Sequence, residues 1–153
     1  MSIAIRRILV LCEGNHCRSP LAEALLRRAL GPASDVRSAG LRALVGEPAH
    51  EETRRQGMEL GLDLSTHRGR QVTLDLAKRA DLILVMDRAQ KAACEALAPS
   101  VRGRVFLLGH WLSPDRPEIA DPIRRSAADH RRVGAHIQGA IQTWLPRLAR
   151  RTP

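Results

Sequence analysis

The chain has 153 residues with a hydrophobic fraction of 44%, which suits one domain with a sizeable core, so we expect a single domain over residues 1–153. The formal net charge of +9 favours acidic partners. Phe106, Trp111 and Trp144 are not interleaved with basic residues as a nucleic-acid stacking platform requires, so no nucleic-acid partner is expected.

The N-terminal segment lacks the features of a secretory leader, and the three cysteines form an odd count. No apolar run approaches the roughly 20 residues that span a bilayer. We therefore expect a cytoplasmic protein in a reducing compartment, without membrane insertion.

The first predicted elements are a strand, a short loop and a helix. Residues 3–11 are rich in Ile, Leu and Val with little polar alternation, which is typical of a central parallel strand covered on both faces. A helical apolar stripe then runs from about Ser19 to Leu30, and Gly31 with Pro32 ends it. Ser19 is the predicted N-cap of this helix.

The rest of the chain alternates short apolar runs with helical patterns. Strands are predicted at residues 35–40, 80–87 and 105–108, and helices at 48–60, 74–77, 88–98 and 126–148. Such alternation implies βαβ units with right-handed crossovers. We predict an α/β three-layer fold with a four-stranded parallel sheet and helices on both faces. Ligands of such sheets bind beyond the carboxyl ends of the strands, where Cys12, Ser38 and Asp87 would project.

Residues 12–19, Cys-Glu-Gly-Asn-His-Cys-Arg-Ser, join the first strand to the first helix. A loop curled over a helix start points several backbone N–H groups at one spot, where the helix dipole adds partial positive charge. Gly14 is expected to adopt a backbone angle that is costly for other residues. Asn15 tolerates a left-handed conformation and has an amide that can brace the loop. The sequence therefore predicts an anion cradle.

Cys12 lies at the mouth of this predicted cradle. The donors that attract phosphate also stabilise a thiolate, which is the nucleophilic form of cysteine. Arg18 follows with five residues between, so a folded loop can aim its guanidinium group at two oxygens of an anion held over the sulfur. A buried structural cysteine would not account for Gly14, Asn15, Arg18 and Ser19 together. The pattern predicts nucleophilic catalysis on a phosphate.

The stretch from Cys12 to Pro20 resembles the phosphate loop of the low-molecular-weight protein tyrosine phosphatase family. The resemblance covers nearly the whole chain, because further family motifs occur in the family's order: Ser38-Ala39-Gly40, His67-Arg68, Met86-Asp87, Gly109-His110-Trp111 and Asp121-Pro122. It implies that Cys12 forms a phosphocysteine and that Asp121 is the general acid and base. On the residues alone, Asp121 could be an ordinary turn aspartate.

The resemblance also implies a phosphate-binding set, which is Glu13, Gly14, Asn15, His16, Cys17, Arg18 and Ser19. The cradle and Arg18 neutralise the phosphate charge, so no metal or other cofactor is expected, and inorganic phosphate is the product. His50, His110, His130 and His136 show no metal-ligand spacing along the chain.

Similar proteins support the loop through a network that matches Asn15, Ser19, Ser38 and His67, with Ser19 donating its hydroxyl proton to the sulfur. His67 could instead be a solvated loop residue. The cysteine that matches Cys17 can form a reversible disulfide, although Cys17 could simply pack under the loop. Cys94, on a predicted helix, is expected to be a packing residue.

The chain departs from many relatives at the rim of the predicted pocket. Glu13 and His16 replace aliphatic residues, and Ile123 stands where the family often has tyrosine, so an apolar wall remains without ring stacking. Leu41 and Leu44 are candidate apolar contacts at the rim, or core residues. Arginines could attract an acidic phosphotyrosine tail or be solvated surface charge: Arg124, Arg125, Arg147, Arg150 and Arg151.

Residues 38–46 most resemble the bacterial branch that dephosphorylates tyrosine autokinases of exopolysaccharide export, so the implied partner is a phosphotyrosine protein of that kind. Three alternatives stay open on the same scaffold: a phosphoarginine phosphatase, from which His16 departs; an arsenate reductase, which needs additional cysteines; and a noncatalytic phosphoprotein-binding module.

Overall fold

A computed structural model of the chain describes residues 4–148. Four strands are present: β1, Arg7–Cys12; β2, Asp35–Gly40; β3, Leu82–Val85; and β4, Val105–Leu107. Five α-helices accompany them in the described part: α1, Arg18–Leu30; α2, Glu51–Glu59; α3, Leu74–Arg79; α4, Arg88–Leu97; and α5, Ala127–Leu148. A single 3-10 turn at Pro99–Val101 precedes β4.

The strands form one parallel sheet in the order β2-β1-β3-β4. Val10 at the centre of β1 lies opposite Ser38 of β2 and Leu84 of β3, so β1 is flanked on both sides. The carboxyl end of β1 therefore opens at the middle of one sheet edge, where parallel α/β sheets bind ligands. The loop that follows Cys12 starts from this position.

Alternation along β1 divides the core into two clusters, one on each face of the sheet. Ile8 and Val10 belong to the cluster covered by α1 and α5, whereas Leu9 and Leu11 belong to the cluster covered by α3 and α4. Trp144 of α5 is buried in the first cluster, and its Nε1 donates to the carbonyl oxygen of Leu108 at 2.7 Å. The predicted three-layer fold with a four-stranded sheet is confirmed.

Several predicted boundaries were wrong by a few residues. β1 begins at Arg7, because its pairing with β2 starts where Arg7 lies opposite Asp35. α2 begins at Glu51 rather than residue 48, since His50 caps it by accepting from the Glu52 amide at 3.0 Å. β3 is shorter than predicted, and β2 has the predicted bounds. Residues 1–3 and 149–153, including Arg150 and Arg151, lie outside the described residues.

The start of α1 also differs from the prediction. The helix begins at Arg18 and its N-cap is Cys17, which makes no side-chain capping hydrogen bond. Ser19 is therefore not the N-cap, because its hydroxyl is used inside the loop described below. Gly31 ends the helix as predicted, at a φ of 74° that glycine adopts without strain. Within residues 4–148, no helix combines the length and the apolar character that crossing a bilayer requires.

Candidate active site

The phosphate loop, residues 12–19, is held from outside by its carbonyl groups. Five consecutive carbonyl oxygens accept hydrogen bonds from segments that follow β2. The pairs are Leu41 N to Cys12 O (3.0 Å), Arg42 N to Glu13 O (2.8 Å), Leu44 N to Gly14 O (2.9 Å), His67 Nε2 to Asn15 O (2.8 Å) and His50 N to His16 O (2.9 Å). Each of these carbonyls therefore points away from the centre of the loop.

This arrangement fixes the direction of the amides. No peptide bond in the described chain is cis, and a planar trans peptide holds its N–H opposite to its C=O. The N–H groups of residues 13–17 consequently point toward the inside of the loop, opposite to the outward hydrogen bonds. They converge at the N-terminus of α1, whose dipole adds partial positive charge. The loop has the geometry of an anion-binding site.

Cys12 lies at the start of this loop with its sulfur beside a hydroxyl group. The Cys12 Sγ and Ser19 Oγ atoms are 3.0 Å apart, and both side chains are buried. The amide of Asn15 donates to the same Ser19 oxygen at 2.8 Å. Because that oxygen already accepts from Asn15, the hydroxyl proton of Ser19 is left for the sulfur. Ser19 can therefore stabilise a Cys12 thiolate.

Asn15 is the hub that braces the loop. Its φ of 53° is left-handed, a conformation that asparagine tolerates, and its side chain is 1% exposed. Its Nδ2 also donates to Ser38 Oγ at 3.0 Å, while its Oδ1 accepts from the Arg70 amide at 2.9 Å. His67 donates to its carbonyl oxygen, so His67 is a loop contact rather than a solvated residue. Asn15, Ser19, Ser38 and His67 thus form one connected network.

Two glycines differ in their roles from what the sequence suggested. Gly14 does not adopt a positive φ, so the left-handed residue of the loop is Asn15. Gly40, at the end of β2, is the glycine that the loop requires. A Cβ there would lie 2.7 Å from the carbonyl oxygen of Glu13 and 2.9 Å from the amide nitrogen of Asn15. Gly40 belongs to the Ser38-Ala39-Gly40 motif, but nothing in the local sequence indicates this close approach.

Arg18 connects the loop to the segment that carries Asp121. Its Nη1 donates to the carbonyl oxygen of Ile119 at 2.7 Å, and its Nη2 lies 3.6 Å from Asp121 Oδ2. The arginine side chain is 4% exposed, whereas the aspartate is 42% exposed. The Ile119 amide in turn donates to Met86 O at 2.8 Å, which fixes this segment to the end of β3. Arg18 therefore links Asp121 to the end of the phosphate loop, next to Ser19, whose hydroxyl lies beside the Cys12 sulfur.

Apolar and charged side chains surround this position. Leu44 and Ile123 are 42% and 39% exposed, and Leu44 lies against Gly14 of the loop. Leu41 is partly buried against the core cluster of α3 and α4, so it is the less accessible of the two leucines. Glu13 faces Arg42 at 3.5 Å between two well-exposed side chains, a geometry that contributes little to stability.

All three cysteines are free thiols. Cys94 is fully buried in the core cluster of α3 and α4, which confirms its predicted packing role. Cys17 is buried behind the loop, and this burial raises the pKa of its thiol to about 12. A neutral thiol is therefore its resting form.

Three histidines line up behind the loop, a feature that the sequence did not indicate. The rings of His16 and His50 meet edge to face at 5.3 Å, and those of His50 and His130 stack at 4.5 Å. Burial lowers the pKa of each of the three. Cys17, His50 and His130 each place a possible metal-ligand atom within 4.8 Å of the others. Their spacing along the chain hid this cluster, because they lie on three different segments.

A loop of inward amides between a central parallel strand and a helix, starting at a cysteine, defines a phosphate-loop α/β protein. The family model for low molecular weight phosphotyrosine protein phosphatase matches residues 7–153. The probable low molecular weight protein-tyrosine-phosphatase EpsP of Ralstonia nicotianae is 44% identical over 144 residues, covering 94% of this chain and 97% of that protein.

Solved structures give the same result. The tyrosine phosphatase AmsI of Erwinia amylovora superposes with a TM-score of 0.92 at 39% identity, covering 98% of this chain and 97% of that one. The tyrosine phosphatase Wzb of Escherichia coli K30 in complex with sulphate has a TM-score of 0.89 at 42% identity, covering 94% and 99%. The chain belongs to the low-molecular-weight protein tyrosine phosphatase family, whose members act through a cysteine nucleophile.

Proposed function

We propose that this protein hydrolyses phosphotyrosine through a phosphocysteine intermediate on Cys12. The observation that carries this proposal is a loop whose amides point inward, with Cys12 at its start beside Ser19 and with Arg18 at its end beside Asp121. Phosphate ester cleavage needs a nucleophile, charge stabilisation on the equatorial oxygens and a proton for the leaving group. These three needs correspond to the sulfur, the loop with its arginine, and the aspartate.

In the first step, the Cys12 sulfur attacks phosphorus while Asp121 protonates the departing phenol oxygen. The amides of the phosphate loop and the Arg18 guanidinium group hold the phosphoryl oxygens, with the bidentate geometry that arginine provides. The carbonyl contact to Ile119 holds Nη1, and the burial of Arg18 limits the water that would screen its charge. Ser19 stabilises the thiolate on either side of this step.

In the second step, Asp121 removes a proton from the water that attacks the phosphocysteine. Its exposure and its position beside Arg18 suit a group that exchanges protons with solvent and faces the phosphoryl group. Cys12 leaves as a thiolate and inorganic phosphate is released. The charge neutralisation in this scheme comes from the loop and Arg18.

For substrate selection, we propose that Leu44 and Ile123 contact the phenol ring of the substrate. Both are large hydrophobic side chains that are more than one third exposed. Leu44 lies against Gly14 of the loop, and the Ile123 amide donates to Asp121 Oδ1 at 3.1 Å. Leu41 contributes to the base of this wall. Ile123 provides apolar contact without ring stacking, and Glu13 adds negative charge that Arg42 partly offsets.

We further propose that the chain folds as one domain over residues 1–153 and that its partner is a phosphotyrosine protein, of the kind represented by the tyrosine autokinases of exopolysaccharide export. Support for one domain comes from the single sheet with a core cluster on each face. Three free thiols are consistent with a reducing, cytoplasmic compartment.

A redox role for Cys17 also stays a proposal. A peroxide would oxidise the Cys12 thiolate to a sulfenic acid, and the Cys17 thiol would then displace water to form the disulfide. Two thiols lose two electrons, and the peroxide is reduced to water or an alcohol. Since burial holds Cys17 as a thiol, this step needs deprotonation as the sulfur attacks.

The test compares p-nitrophenyl phosphate, a phosphotyrosine peptide and phosphoarginine as substrates. We expect turnover of the phosphotyrosine peptide by the wild type, none by Cys12→Ser, and wild-type rates for Cys94→Ala, a matched change at a cysteine outside the site. Faster turnover of phosphoarginine would favour that substrate class instead. Phosphopeptide binding without any turnover would identify a noncatalytic module.

A further inference from the structure

The cluster behind the phosphate loop joins three segments that are far apart in sequence. Cys17 is the N-cap of α1, His50 is the N-cap of α2 and His130 lies in the first turns of α5. One ligand atom from each residue lies within 4.8 Å of the other two. The helix starts are packed together here, so the fold itself brings the three side chains into one place.

His130 carries the clearest sign that this place is suited to a ligand. The side chain is 2% exposed, and its Nε2 atom is buried without a hydrogen-bond partner among the described residues. A buried polar atom without a partner costs free energy, so native structures rarely retain one without a reason. A cavity of about 10 Å³ borders both Cys17 and His130. That volume is close to the room that one water-sized species needs.

We propose that Cys17, His50 and His130 form a binding site for a zinc-class transition-metal ion. One thiolate and two imidazoles are ligands that zinc prefers, whereas calcium and magnesium prefer oxygen. Zinc binds sulfur at about 2.3 Å and imidazole nitrogen at about 2.0 to 2.1 Å, which places tetrahedral ligand atoms roughly 3.3 to 3.7 Å apart. The three ligand atoms lie within 4.8 Å of one another, so side-chain rotation must bring them to those distances when the ion binds, with water in the fourth position.

Metal binding breaks the S–H bond of Cys17 and forms a metal–sulfur bond, and the proton leaves to solvent. His130 supplies the lone pair of a ring nitrogen. His50 gives up its helix cap, since its Nδ1 now accepts from the Glu52 amide at 3.0 Å. If Nδ1 of His50 binds the ion, its lone pair is donated to the metal. If Nε2 binds instead, Nδ1 carries the ring proton and cannot accept a hydrogen bond. The Glu52 amide therefore loses its acceptor in either case.

The consequence for Cys17 is direct. An ion on this sulfur occupies the proposed disulfide partner of Cys12, so metal binding and disulfide formation exclude one another. The metal site itself does not depend on catalysis by Cys12, and its test measures binding alone.

The experiment titrates the reduced protein with Co²⁺ as a spectroscopic probe and with Zn²⁺ in competition. We expect one ion per chain with a sulfur-to-metal charge-transfer band in the wild type and in Cys12→Ser. Cys17→Ser should lose the band, and His130→Gln should weaken binding by at least about tenfold. Cys94→Ala and His136→Gln are the matched controls, and both should bind like the wild type.

Two further measurements keep the test decisive. His50→Gln changes a partly exposed side chain of the same site, and it replaces His130→Gln in the titration if that variant does not fold. Hydrogen exchange at the Glu52 amide should accelerate when Zn²⁺ is added to the wild type. Retention of the band in Cys17→Ser, its loss in Cys12→Ser, or unchanged exchange at Glu52 with bound metal would overturn the proposal.

Discussion

Replacing Asn15 with alanine tests how the phosphate loop is held. The change removes three side-chain hydrogen bonds, to Ser19 at 2.8 Å, to Ser38 at 3.0 Å and from the Arg70 amide at 2.9 Å. Each buried hydrogen bond contributes about 1 kcal/mol, and alanine in the left-handed region costs about 1 kcal/mol more. We expect Asn15→Ala to reduce the free energy of unfolding by about 4 kcal/mol.

Urea unfolding of three variants separates the two contributions. Asn15→Gly removes the hydrogen bonds but tolerates the φ of 53°, so it should be about 1 kcal/mol more stable than Asn15→Ala. Ser38→Ala removes one of the three bonds and should cost about 1 kcal/mol. Turnover should fall least in Ser38→Ala, more in Asn15→Gly and most in Asn15→Ala, because the loop amides progressively lose their alignment. A loss below about 1 kcal/mol for Asn15→Ala, with wild-type turnover, would refute this account of the loop.

The other predictions concern Gly40, Asp121 and the histidines behind the loop. Gly40→Ala should lower turnover more than it lowers stability, because its Cβ would displace the loop backbone at 2.7 Å; wild-type kcat would contradict this. Asp121→Asn should slow turnover of aryl phosphates by about 100-fold or more while phosphate inhibition stays unchanged, and an equal rate would remove Asp121 as the acid. His16, His50 and His130 have folded-state pKa values below the ordinary 6.5, so the unfolded chain binds more protons as the pH falls below 6.5. The urea midpoint should therefore fall as the pH drops below 6.5 and be restored above it. In His130→Gln, the urea midpoint should depend less steeply on pH.

Much of the site could be predicted because its chemistry lies in one continuous stretch. Residues 12–19 bring a cysteine, an arginine and an asparagine that tolerates a left-handed turn within a few positions, and Asp121 precedes a proline in a recognisable motif. The four-stranded parallel sheet and the three layers follow from the alternation of strands and helices, whereas the order of the strands was not predicted. Local pattern and family resemblance were enough for these parts.

The parts that were missed depend on contacts between distant segments. Ser19 is a good N-cap by propensity, yet its hydroxyl is used by Asn15 and Cys12, so the helix starts without a side-chain cap. The need for Gly40 arises because β2 ends against the loop backbone. The cluster of Cys17 with His50 exists only once α2 packs beside the loop. The spacing of residues along the chain does not indicate such contacts.

The proposed mechanism requires that Cys12 carries the phosphoryl group during turnover. Rapid acid quench of the wild type with p-nitrophenyl phosphate, followed by mass spectrometry of the peptides, tests it directly. We expect one phosphoryl group on the peptide that contains Cys12, located at that sulfur. It should accumulate in Asp121→Asn when a good leaving group makes hydrolysis the slow step. A phosphoryl group on a histidine, or turnover by Cys12→Ser, would rule out a phosphocysteine on Cys12.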